Sequence, residues 1–187
     1  MRLPFNEAKA TQAAAHLLRA RRGVMNYQFL IKLLYLADRE ALIKWGRPIT
    51  TDRYVSMEQG PVLSRIYSLM VGNPVPDGQG IWRRYIPVQT AYRVRLHEDP
   101  GNGELSPAEE KLLDQILKKH GGKDRRQIIR YLHTLPEWRD PETQGKKSID
   151  LPIRDILAAG GRTAEEIAAI EEEREHIAIV KGLISSR

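Results

Sequence analysis

The sequence predicts a mainly helical α+β domain: six or seven helices around one buried helix at residues 26–45, with a small antiparallel β element from 51–57 and 81–97. Three observations carry this. Apolar residues recur at helical spacing through most of the chain. Two capping boxes, Ser106 to Glu109 and Thr163 to Glu166, mark helix starts. The best alternating pattern is confined to Tyr92, Val94 and Leu96, separated by Arg93 and Arg95, as in a short strand with one wet face.

From the N-terminus, Asn6 is a good cap for a first helix, whose Ala10, Ala13, Ala14, Leu17 and Leu18 form a stripe ending at Gly23. Asn26 caps a second. Phe29, Leu30, Leu33, Leu34, Ala37 and Leu42 wrap almost fully around it, so it should lie at the centre, and Gly46-Arg47-Pro48 ends it. Residues 51–57 read as extended. Gly60-Pro61 turns into a helix near 61–71 with Val62, Ile66, Leu69 and Met70 inside. The prolines and glycines of 72–80 make a loop. Residues 81–88 are expected to pair with the strand ending at Leu96, on an edge because of Pro87. Further helices follow at 106–120 and from Asp124 to before Pro136. Residues 139–151 read as a loop, and 153–158 as a short helix. The last helix opens at Thr163 and carries Ile167, Ile170, Ile177, Val180 and Ile184.

The 187 residues fit a single domain, 1–187. No apolar run is long enough to span a bilayer, and the N-terminus turns charged too soon for a secretory signal, so the expected location is cytoplasmic with no membrane partner. With no cysteine there is no disulfide, thiolate zinc site or cysteine nucleophile. The five histidines are not at ligand spacing, and no nucleophile elbow, phosphate-binding lysine loop or dinucleotide fingerprint occurs. No catalytic residue, metal or cofactor is expected, and the chain reads as a non-enzyme. The net charge of +6 is scattered in short clusters and the last helix opens acidic, so nucleic acid is a possible but disfavoured partner. Helices 6–22 and 26–45 have the outline of a helix-turn-helix. The second is too apolar to read base edges.

One set of motifs is specific. Lys32-Leu33-Leu34-Tyr35-Leu36-Ala37-Asp38-Arg39 is followed by Gly46-Arg47-Pro48-Ile49-Thr50-Thr51-Asp52-Arg53-Tyr54-Val55 and then Gln59-Gly60-Pro61-Val62. In order and spacing these closely resemble the opening of the Panacea (SocA-like) antitoxin domains. Tyr131-Leu132-His133-Thr134 with Trp138, and Ile153 to Leu157, resemble later elements of that family, so the likeness spans 26–158, leaving 159–187 as a C-terminal helical segment. The resemblance implies an antitoxin that neutralises a cognate protein toxin by direct contact. The alternatives are an adaptor delivering the toxin to a protease, or a DNA-binding regulator. It carries no catalytic residue.

Physical chemistry assigns these motifs structural roles: Tyr35 packs its ring and offers its hydroxyl, Pro48 and Gly60-Pro61 set turns, Asp38 accepts from Arg47 or Arg53, and His133 with Trp138 closes over the 46–55 bridge. Asp38, Arg39, Asp52, Arg53, Tyr54, Pro61, Arg65 and Tyr67 form the expected partner-binding face, being rich in the arginine and tyrosine that dominate interfaces. Val55 and Met57 flank it, so one edge of the bridge could accept a partner strand. In the competing reading Asp38, Arg39 and Arg53 satisfy one another. Partner choice is expected on the 73–84 segment or the final helix.

Overall fold

A computed structural model of the chain describes residues 3–76, 78–87 and 92–185. Eight α-helices and five short strands occur among them. In chain order these are α1 (Glu7–Arg19), β1 (Val24–Asn26), α2 (Tyr27–Trp45), β2 (Tyr54–Met57), β3 (Gly60–Leu63), α3 (Ser64–Met70), α4 (Ile81–Tyr85) and β4 (Arg93–Arg95). The second half holds α5 (Pro107–His120), α6 (Arg125–His133), a 3₁₀ turn (Pro141–Gln144), β5 (Ser148–Asp150), α7 (Ile153–Ala159) and α8 (Ala164–Ser185). This is the expected α+β architecture. None of these helices is long and apolar enough to cross a membrane.

Helix α2 is the hub. Asn26 caps it through bonds to the N–H groups of Gln28 and Phe29, and Gly46 ends it in the left-handed conformation. Helices α1, α5, α6 and α7 and strand β3 surround it. Leu30, Leu33, Leu34 and Leu42 are all but fully buried, each contributing about 1.5–3 kcal/mol by leaving water. A helix buried on this scale cannot lie in a DNA groove. The Ser106–Glu109 capping box opens α5 as expected, and Asp124 with Gln127 forms another at α6.

Two small antiparallel sheets replace the single β element. In one, β1 pairs with β4, Met25 opposite Val94. Here Val94 faces the core while Arg93 and Arg95 face solvent, as the alternation predicted, but Tyr92, expected on the inner face, lies before the strand and is exposed. In the other the order is β3-β2-β5. Strand β2 is therefore paired on both edges, and the expected free edge of the bridge is taken by β5, in a stretch read as loop. Residues 61–63 are extended, not helical, because the β2–β3 ladder holds them. The carboxylate of Asp52 then starts α3 by accepting from the N–H groups of Arg65 (3.0 Å) and Ile66 (2.9 Å).

The hairpin expected between 81–88 and the strand ending at Leu96 does not form over the described residues; 88–91 lie outside them. Residues 81–85 are helical instead, the one helix beyond the seven that the pattern suggests. The cause is distant in sequence. Buried Glu7 on α1 accepts from the N–H of Trp82 at 2.8 Å and from that of Gln79, capping α4 across 75 residues.

Helix α7 approaches α2 closely at Gly160, its C-cap, where a Cβ atom would stand 2.7 Å from the Cδ1 of Ile43 and contact its other side-chain atoms. The backbone φ of Gly160 is −82°, so space and not conformation demands the glycine. Gly160→Ala is expected to lose about 1–3 kcal/mol in urea unfolding. Adding Ile43→Ala should recover part of it, making the double variant more stable than the sum of the two single losses predicts.

Candidate functional site

The motif residues gather under and around β2, in a buried polar frame topped by an open cleft. Asp38 is fully buried in the middle of α2. Its Oδ1 accepts from the N–H groups of Ile49 and Thr50, each at 3.0 Å. Its Oδ2 accepts from the hydroxyls of Thr50 (2.5 Å) and Tyr54 (3.2 Å). Burial pushes its pKa up to about 7, against the pull of the bonds from Thr50. The expected arginine partner is not used. Four neutral donors from 49–54 already fill the carboxylate, Arg47 is exposed, and Arg53 bonds Asp150 at 2.8 Å.

Arg39 also has a different partner. Its Nε and Nη2 reach Glu137 Oε1 and Oε2 at 2.6 and 3.2 Å, and the Tyr35 hydroxyl donates to the same Oε1 at 2.8 Å. Asp38, Arg39 and Arg53 thus do not satisfy one another; each is held by a different element. Beside this frame His133 stacks on Trp138, ring centroids 3.8 Å apart, and Trp138 Nε1 donates to the carbonyl of Met57 at 3.1 Å. The pair is anchored at Met57, the last residue of β2, and not on the 46–55 bridge that it was expected to close over. Lys32 ties the hairpin to α2 by donating to the carbonyls of Gly60 (3.0 Å) and Pro61 (3.1 Å). Gly60 has φ +94°, and a side chain there would crowd Leu132.

Above the frame lies a cleft of about 520 Å³. One wall is Asp52, Arg53, Tyr54 and Arg65; the other is 150–153 with Glu171, Arg174 and Glu175 of α8. Arg174 is half-buried, and its Nη1 is enclosed with no hydrogen-bond partner among the described residues. Burial lowers its pKa, while the nearby Tyr54 and Asp38 pull the other way. Further along α8, Ile177, Ile179 and Val180 are exposed.

Of the eight residues expected to bind a partner, Arg53 is exposed, Arg65 and Tyr67 are half-buried, and Asp38, Arg39, Asp52, Tyr54 and Pro61 are buried. Sequence reasoning missed Glu137, although it directly precedes Trp138 in a recognised element. It assigned no role to Lys32, the first residue of its own motif. It also missed Arg174, for which an arginine on a helix otherwise lined with glutamate was the available signal.

A family model described as antitoxin SocA-like, Panacea domain, matches residues 30–139. Comparison with curated proteins and with solved structures gives no match.

Two tests follow from the frame. Glu137→Gln leaves buried Arg39 with only the looser Glu40 carboxylate at 3.9 Å and should cost about 3 kcal/mol in urea unfolding. The second is a pH dependence. Folded Asp38 titrates at about 7 and the unfolded carboxyl near 3.8, so folding takes up a proton between these values. Relative to Asp38→Asn, the parent should therefore lose stability as pH rises from roughly 4 to 7 and change little above. The comparison is with the variant because His120, which burial holds down to about 4, opposes this slope in the parent. A parent–variant difference that does not vary with pH contradicts the buried titration.

Proposed function

The chain belongs to the Panacea domain family of SocA-like antitoxins, and on that premise we propose that it neutralises a cognate protein toxin by direct binding at the cleft beside β2. One observation carries the reading. The match ends at residue 139, and the cleft has one wall inside it and one beyond it. Asp52, Arg53, Tyr54 and Arg65 lie within the matched span, whereas 150–153 and α8 lie beyond it. A surface built partly from the matched domain and partly from the segment that follows it suits a scaffold that meets different partners.

In this reading the eight residues divide by depth. Arg53 and Arg65 line the cleft and contact the toxin, whereas Tyr67 lies outside it, in the wall of a second cavity at the hairpin turn. Asp38, Arg39, Asp52, Tyr54 and Pro61 hold the wall in shape from beneath, so their effect on binding is indirect. The exposed Ile177, Ile179 and Val180 extend the second wall with the apolar surface that interface centres use. Six glutamates against Arg174 and Lys181 make α8 acidic in a chain of net charge +6, which favours a basic patch on the toxin.

The test is a neutralisation assay. The product of an adjacent reading frame should arrest growth when expressed alone and be silenced by this chain. Arg53→Glu and Arg65→Glu should abolish silencing. Arg53, an exposed side chain, should change folding stability by no more than about 0.5–1 kcal/mol. Full neutralisation by both variants, or unfolding of Arg53→Glu, rules out the surface. Neutralisation with purified components and no protease separates direct binding from delivery for degradation.

A further inference from the structure

A second cavity, of about 420 Å³, lies at the other end of β2, at the hairpin turn. Lys32 lines it, yet only 3% of Lys32 is exposed. A buried lysine ordinarily meets a carboxylate; among the described residues none pairs with this one. Two of its three N–H donors are taken by the Gly60 and Pro61 carbonyls, and the third has no partner among the described residues. Apolar surface from Ile31, Met57 and Val62 and the rings of Tyr27 and Tyr67 fill out the cavity. A concave, mainly apolar space with one buried charged group is the usual form of a small-ligand site, and this volume lies in the usual range of about 300–1,000 Å³.

The surrounding charges favour an anion. Arg125 on α6 acts on Lys32 electrostatically and bonds the side chain of Gln59, itself in the cavity wall, at 2.9 Å. Lys146 and Lys147 stand at the exposed rim. The acidic groups of the cavity, Glu58 and Glu142, are exposed and so are screened by water. Among the described residues the buried floor offers an amine with no carboxylate partner.

We propose that this cavity binds a small organic monocarboxylate, its carboxylate on the Lys32 ammonium and its apolar body between Tyr27, Tyr67 and Met57. The site is separate from the toxin-facing cleft and would let such a ligand act on the hairpin that shapes that cleft. Burial, with Arg125, holds the unliganded amine down to about 7. A bound carboxylate raises it, so at pH 8 binding takes up a proton.

The experiment is calorimetric titration of the full chain with phenylacetate and with its neutral isostere phenylacetamide, in two buffers of different ionisation enthalpy. The acid should bind at least about tenfold tighter than the amide. Proton uptake should be clear at pH 8 and close to zero at pH 6, where Lys32 is already charged. Lys32→Met should abolish the preference for the acid. Acid and amide binding alike, no saturation by phenylacetate up to about 10 mM, or an intact acid preference in folded Lys32→Met each overturns the proposal. If Lys32→Met does not fold, the acid–amide difference and the proton uptake in the parent decide it.

Discussion

Asp38 brings a carboxylate into the middle of a helix whose surroundings are leucine, isoleucine and alanine, and the chain that follows is shaped around it. An isolated carboxylate in such a place is expensive unless its lone pairs are filled. Here they are filled by the turn immediately after the helix and by the first residue of β2. This fixes where the 49–54 segment runs. With it are fixed the start of the β2–β3 hairpin and the position of Asp52, whose own carboxylate starts α3. Lys32, six residues earlier on α2, anchors the far end of the same hairpin through two carbonyls. Both ends of the hairpin are thus tied to one helix by buried charged groups, and Glu137 closes the third side through Arg39 and Tyr35.

These ties explain what was legible in the sequence. The central helix, the capped helix starts and the wet-faced strand at 93–95 are local patterns, and local patterns survive folding. Residues 81–85 were misread because isoleucine, tryptophan and tyrosine favour strands, while their helix depends on Glu7, which no local window contains. The start of α3 was placed too early for the same reason: its cap comes from Asp52, thirteen residues before Arg65. Strand β5 is three residues long and polar, and acquires its identity only by lying against β2. The site divides in the same way. The motif residues converge as expected, but their partners do not follow from proximity in sequence. Asp38 is satisfied by neutral donors, and Arg39 finds Glu137 almost a hundred residues on.

Charge is distributed unevenly between the parts of the molecule. Residues 30–139 supply the frame, and the segment after them supplies β5, α7 and an acidic α8. Yet the later segment is no loose appendage. β5 completes the sheet, and the Arg162 guanidinium donates to the carbonyls of Ile43 (2.9 and 2.7 Å) and Lys44 (3.1 Å), satisfying the C-terminal end of α2.

The close approach of Gly160 to Ile43 also bears on how this scaffold can diversify. Position 43 lies within the span common to the family and position 160 lies beyond it. A larger residue at position 160 would need a smaller one at position 43, so the two positions are sterically coupled. The segment after the matched span is thus seated on α2 by steric fit at this glycine as well as by the Arg162 bonds and the β2–β5 ladder.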